Sequence, residues 1–173
     1  MFEIKPINAE HYRAQTRRSS VVVIILFAAI AMLCSGLLVA LWGESGGSNF
    51  SLNLTGVLTG VFITALVVRY VLAEQPFMQE AVYGWQLKRS LMRVTNVMHK
   101  VKEKVAVNDP LAMKMLRFYH LGVTQMYLLD ANTSGLSQMT REIDEHAQKM
   151  QAQGLELEQT CFDPAWLDAI NAK

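Results

Sequence analysis

Residues 21–42 read VVVIILFAAIAMLCSGLLVALW, 22 positions without a charge, of which 20 are hydrophobic. At 1.5 Å per residue a helix of this length reaches about 33 Å, close to the roughly 30 Å of a bilayer's hydrocarbon core. A second uncharged run, FSLNLTGVLTGVFITALVV, occupies residues 50–68. Inside lipid the backbone must satisfy its own polar groups, so both runs are expected to be helices. The linker between them, Gly43-Glu44-Ser45-Gly46-Gly47-Ser48-Asn49, is short and turn-forming, which predicts an antiparallel hairpin.

Working outward, the flanks set the orientation. Lys5, Arg13, Arg17 and Arg18 precede the first span, and Arg69, Lys88, Arg89 and Arg93 follow the second, while the linker carries only Glu44. Cationic flanks stay on the cytoplasmic side, so both termini are expected in the cytoplasm. A cleaved secretory signal does not fit, because the apolar run is too long and a second span follows. Leu33 before Cys34 is too large for a lipoprotein site, and Ser19 and Ser20 after Arg17-Arg18 do not suit a twin-arginine signal. A retained anchor is the expectation.

The chain has 173 residues, 51% hydrophobic and 18% charged, with a formal net charge of +1. Once the two spans are set aside, the remainder has the composition of an ordinary soluble domain. A disordered chain and a disulfide scaffold are thereby excluded. The expected organisation is a basic N-terminal segment at 1–18, a transmembrane hairpin at 19–72 with spans near 21–42 and 50–68, and a cytoplasmic helical domain at 73–173.

In that domain the periodicity is helical. Leu87, Leu91, Val94, Met98, Val101 and Val105 form a short heptad seam on a helix expected from Gln75, with Pro76 in its first turn, to about Val107. Asp109-Pro110 caps and opens a further helix, to about Ala131. A turn is expected at 132–135, then a helix capped by Ser137 with Met139, Ile143, Ala147 and Met150 on one face, ending before Gly154. Asp163-Pro164 opens a last short helix. No strand pattern is evident. The fold class is all-α, an N-terminal transmembrane helical hairpin followed by a cytoplasmic bundle of three to four amphipathic helices.

Ser51, Thr55, Gly56, Thr59, Gly60 and Thr64 give the second span a stripe of small residues, suited to close helix approach. Two uses are open: packing the hairpin within one chain, or association with a second copy or another membrane protein. Neither span contains a charged residue or a histidine, which argues against an ion path. Residues 69–117 carry 9 basic and 4 acidic side chains, whereas residues 118–173 carry 3 basic and 8 acidic. The basic half adjoins the anionic leaflet, or pairs with the acidic half inside the fold. Nucleic acid is not an expected partner, since the acidic half offsets the basic one.

Catalytic motifs are not evident: no phosphate-binding glycine loop, no G-x-S-x-G and no HExxH. His99, His120 and His146 lie on three separate helices and form a metal site only if those helices align. No cofactor is expected. The segments Met1-Phe2-Glu3-Ile4-Lys5-Pro6, Ala81-Val82-Tyr83-Gly84-Trp85-Gln86-Leu87-Lys88-Arg89, Leu116-Arg117-Phe118-Tyr119-His120 and Asp163-Pro164-Ala165-Trp166-Leu167, with the Gly43–Phe50 linker, resemble a family of short gammaproteobacterial inner-membrane proteins classed as domain of unknown function 3087. The resemblance spans essentially the whole chain. It implies a bacterial inner membrane, two N-terminal helices and a cytoplasmic helical domain, and brings no catalytic residues. The functional expectation is a non-enzymatic, membrane-anchored scaffold or accessory protein that self-associates and binds a protein partner. Trp85, Phe118, Tyr119 and Trp166 are the candidate contacts. The alternative is a small membrane-bound regulatory or ligand- or metal-sensing module.

Overall fold

The computed structural model describes residues 1–172, apart from the side chain of Thr133. The described chain is all-α apart from two short strands, with seven α-helices, and it divides into two compact units, Ala14–Val82 and Met1–Arg13 with Tyr83–Lys173.

Helix α1 covers Ala9–Trp42 and α2 covers Phe50–Val67, continued by a π-helical turn at Val68–Leu72. Both are long and apolar enough to cross a membrane, and only 6% and 17% of their most apolar windows are buried. Within the Ala14–Val82 unit they approach closely through their smallest residues. A methyl on Gly56 would lie 2.5 Å from Ser35 Cα, and one on Gly60 would lie 2.7 Å from Ala31 Cα. Ser35 Oγ donates to the Asn53 carbonyl at 3.0 Å. At the other end of this unit Ser19 Oγ donates to the Phe77 carbonyl at 2.5 Å.

The second unit is built round α5, Pro110–Leu129. A short 3₁₀ turn at Pro76–Met78 leads into α3, Gln79–Asn96, and α4 covers Met98–Ala106. The expected single helix from Gln75 to Val107 is therefore interrupted. Val97 leaves helical geometry (φ −114°, ψ 12°), and Thr95 Oγ1 bonds back to the Leu91 carbonyl at 3.0 Å. A Thr-Asn-Val run combines a back-bonding hydroxyl with two weak helix formers, which explains the break. The heptad seam survives it: Leu87, Leu91, Val94 and Val101 are all buried.

Helix α6 covers Thr133–Ala152 and α7 covers Ala165–Asn171. The expected turn at 132–135 is instead the first turn of α6. Asn132 is its cap, accepting from Gly135 N at 3.0 Å, and Ser137 lies inside the helix. Asn competes well as an N-cap, and here it precedes the serine. Asp109 caps α5 as expected, accepting from Ala112 N at 2.8 Å.

Three helices end in the same device, a left-handed residue followed by a 6→1 hydrogen bond. Asn108 (φ 62°), Ala131 (φ 55°) and Gly154 (φ 68°) occupy that position after α4, α5 and α6. The closing bonds run from Asp109 N to Lys104 O, Asn132 N to Tyr127 O and Leu155 N to Met150 O.

Two features lie outside what the periodicity predicts. Strand β1 (Phe2–Glu3) pairs antiparallel with β2 (Cys161–Phe162), although no strand was expected. A pair this short has no period to detect, and side-chain packing holds it. Phe118 stacks on Phe162 at 5.1 Å, Phe2 meets Phe118 edge-on at 6.3 Å and Trp166 meets Phe162 edge-on at 6.0 Å. Second, residues 1–13 belong to the same unit as the C-terminal helices. Lys5 N donates to Tyr83 Oη at 3.1 Å, Tyr83 Oη donates to Gln125, and Gln125 returns a bond to the Lys5 carbonyl. Tyr12 is buried against Gly84, where a Cβ would collide with its phenol oxygen.

Candidate functional site: a buried imidazole pair

On α5, Met113, Leu116, His120 and Val123 recur at 3, 4 and 3 residues and are all buried. On α6, His146 and Met150 are buried, one and two turns after Glu142. These faces bring His120 and His146 together edge to face, with ring centroids 5.2 Å apart and planes at 81°. His146 Nε2 lies 3.0 Å from the Met113 carbonyl, which can only accept, so that nitrogen carries the proton. His120 is 1% exposed, and neither of its ring nitrogens has a hydrogen-bond partner among the described residues.

Electrostatics keep the pair neutral. Burial is the main reason that the His120 pKa falls to about 4, and the neighbouring His146, Arg117 and Lys102 push the same way against Glu142. Burial also lowers the His146 pKa, against the opposing hydrogen bond to Met113. Glu142 is held below the usual carboxylate range chiefly by Lys102, which it meets at 3.0 Å. Beside the pair lies a cavity of about 160 Å³ lined by Lys102, Val105, Leu116, Glu142, Glu145, His146 and Lys149. Neutral imidazoles in this setting favour a closed α5–α6 contact and resist protonation.

The three-histidine arrangement does not form. His99 is exposed on α4, and among the described residues no group of three His, Cys, Asp or Glu side chains is placed to hold a metal. The other sequence candidates separate in the same way. Gly56, Gly60 and Thr64 are buried in the Ala14–Val82 unit. Ser51, Thr55 and Thr59 are exposed, with the Thr55 and Thr59 hydroxyls bonded to carbonyls one turn back. Phe118 is fully buried, Tyr119 and Trp166 are partly buried against the same core, and Trp85 is 59% exposed. Arg89 lies over the Trp85 ring at 5.0 Å, and Met92 is exposed nearby on α3. Arg17 and Arg18 are exposed, and Arg69 sits in the π-helical turn. Arg13 has a structural task that its charge did not disclose: its guanidinium donates to the Leu129 carbonyl at 3.3 Å, at the end of α5.

Sequence reasoning placed Ala147 on the buried face of α6, where the structure places His146. The signal was present, because 139, 143, 146 and 150 form a 4-3-4 seam.

An all-α chain with two helices fit to cross a membrane and a separate helical core is the class these features define. The chain belongs to the family described as "Protein of unknown function (DUF3087)", which it matches over residues 2–167. No curated protein and no solved structure matches it.

Proposed function

We propose that the chain is a two-span anchor holding a helical accessory unit at the cytoplasmic face of the bacterial inner membrane, where that unit docks a protein partner. The observation that carries this reading is a contrast in what covers apolar surface. The windows of α1 and α2 are 6% and 17% buried, whereas Leu87, Val94, Val101 and Phe118 are almost wholly enclosed by their own unit. A lipid environment supplies the missing cover, with α1 and α2 as an antiparallel transmembrane hairpin. The cationic flanks favour cytoplasmic termini.

The unit acts as an accessory protein rather than an enzyme. Its docking face includes Trp85, Arg89 and Met92, since Trp and Arg are the residues that most often anchor protein contacts. Phe118 is enclosed by the core, and Tyr119 and Trp166 are partly buried against it, so Trp85 is the candidate with the most surface to offer. Self-association keeps only the Ser51–Thr55–Thr59 edge of α2, as Gly56 and Gly60 are occupied inside the chain.

A photo-crosslinking amino acid at position 85 tests the docking role in native membranes, with exposed Gln138 as the control position. Position 85 should capture one protein species repeatedly and position 138 should not. Lipid adducts alone, or equal capture at both positions, would remove the docking role.

A second reading, a ligand-sensing module, is favoured by the mixed-charge cavity beside His146. Elemental analysis and thermal shifts with divalent cations test it. No bound metal and no shift would remove its metal version.

A further inference from the structure

Helices α5 and α6 depend on their contact very unequally. Nine residues of α5 are buried, Met113, Leu116 and Phe118 among them. Among the described side chains of α6 only His146 and Met150 are buried, with Met139 partly buried against the core, so an imidazole is one of the two side chains that helix encloses fully. The second imidazole, His120, faces it from α5 with no hydrogen-bond partner among the described residues. Charges near the pair come from every helix around it: Lys102 on α4, Arg117 on α5, and Glu142, Glu145 and Lys149 on α6. The nearby anion, Glu142, is already committed to Lys102 at 3.0 Å.

We propose that His120 and His146 form a proton-operated latch: protonation of the pair releases α6 from α5 and leaves the aromatic core around Phe118 in place. An imidazolium at position 120 would be a buried cation among Lys102 and Arg117 with no acceptor, and its route to water is the departure of α6. Release breaks the His146–Met113 hydrogen bond and exposes both rings. The rings of Phe2, Phe118, Phe162 and Trp166 pack on one another and none of them lies on α6, whose Met139 only borders this core, so the aromatic group stays closed. The latch stands whether or not the adjacent cavity takes a ligand.

The sign follows from linkage. A histidine whose folded pKa is depressed stabilises the closed state fully above its unfolded value of 6.5, and the stabilisation is lost as pH falls from 6.5 towards about 4. For His120 alone this amounts to about a thirtyfold shift towards the open state between pH 7.5 and pH 5.

Hydrogen–deuterium exchange on the full chain in detergent micelles, expressed as protection factors, tests the latch. In the wild type the amides of α6 should lose about thirtyfold protection between pH 7.5 and pH 5, while those of α5 keep theirs. In the H120F/H146Q double variant, which keeps a donor for the Met113 carbonyl, α6 should be equally protected at both pH values. Equal protection of wild-type α6 at both pH values would overturn the proposal, and so would the same loss in the double variant. If the variant is unprotected even at pH 7.5, nuclear magnetic resonance of isotopically labelled imidazoles decides. Rings that protonate together with the loss of α6 protection support the latch. Rings that protonate while α6 stays closed, with Glu142 turning to the new cation, overturn it.

Discussion

The two units bring helices together by opposite means. Between α1 and α2 the contact is made by Gly56, Gly60, Ala31 and Ser35, and large side chains such as Ile24, Leu37, Leu58 and Phe62 stay exposed. Around α5 the contact is made by large side chains, and Gly122 serves only to admit the ends of Leu87 and Leu91. Burying a leucine side chain from water stabilises by about 1.5–3 kcal/mol, whereas burying it from lipid gains almost nothing. Helices in lipid therefore rely on close backbone approach and hydroxyl contacts, and helices in water rely on apolar volume. The contacts within the Ala14–Val82 unit are of the first kind, and those around α5 are of the second.

The largest effect is expected at Phe118. It is fully buried and touches both Phe2 and Phe162 rings, so it joins α5 to the strand pair. Phe118→Ala should cost about 3–5 kcal/mol, the usual range for emptying an aromatic site. Thermal unfolding of the full chain in detergent should lose its cooperative transition at a lower temperature, while the circular dichroism of α1 and α2 persists. Melting of both units together would show that they are not energetically separate.

A smaller effect is expected at Gly60, where the obstacle is the Ala31 backbone and cannot rotate away. Gly60→Leu should weaken the α1–α2 contact by about 1–3 kcal/mol. Spin labels at the exposed Leu37 and Leu54 should move apart in that variant. Thr55→Leu, on the exposed face, should leave the distance unchanged. If both substitutions act alike, close approach is not what holds the pair.

These contrasts also mark what could be read in the sequence. The two long apolar helices were legible because each is an uncharged run of 22 or 19 residues, and the small-residue stripe was legible because Gly56 and Gly60 are one turn apart. Its destination was not, since a periodic face does not say whether Ala31 and Ser35 of the same chain or a second chain will cover it. The caps at Asp109 and the stop at Gly154 are local chemistry and could be found locally. The Phe2–Phe162 pairing joins residues near opposite ends of the chain, and no local signal reaches that far. The imidazole pair is half visible: both histidines stand out in the sequence, but the face drawn through Met139, Ile143, Ala147 and Met150 passes one residue beyond His146. A seam position outweighs polarity when a carbonyl such as that of Met113 accepts the ring proton.

The smallest expected effect is a gain. Ala131 sits in the left-handed conformation (φ 55°) that ends α5, the position that Gly154 fills after α6. An L-residue with a Cβ pays about 1–2 kcal/mol there, and glycine does not. Glycine also loses more freedom on folding, which offsets part of the relief. Ala131→Gly should therefore stabilise the unit by about 0.5–1 kcal/mol, read as a higher midpoint in chemical denaturation with an unchanged slope. Gly154→Ala should do the reverse at the end of α6. Because α6 buries so little, that loss should appear as faster amide exchange in α6 alone, whereas the Ala131 gain, at the end of the central helix, should reach the whole unit. A local response at Ala131 would mean that α5 is not the element on which this unit's cooperativity rests.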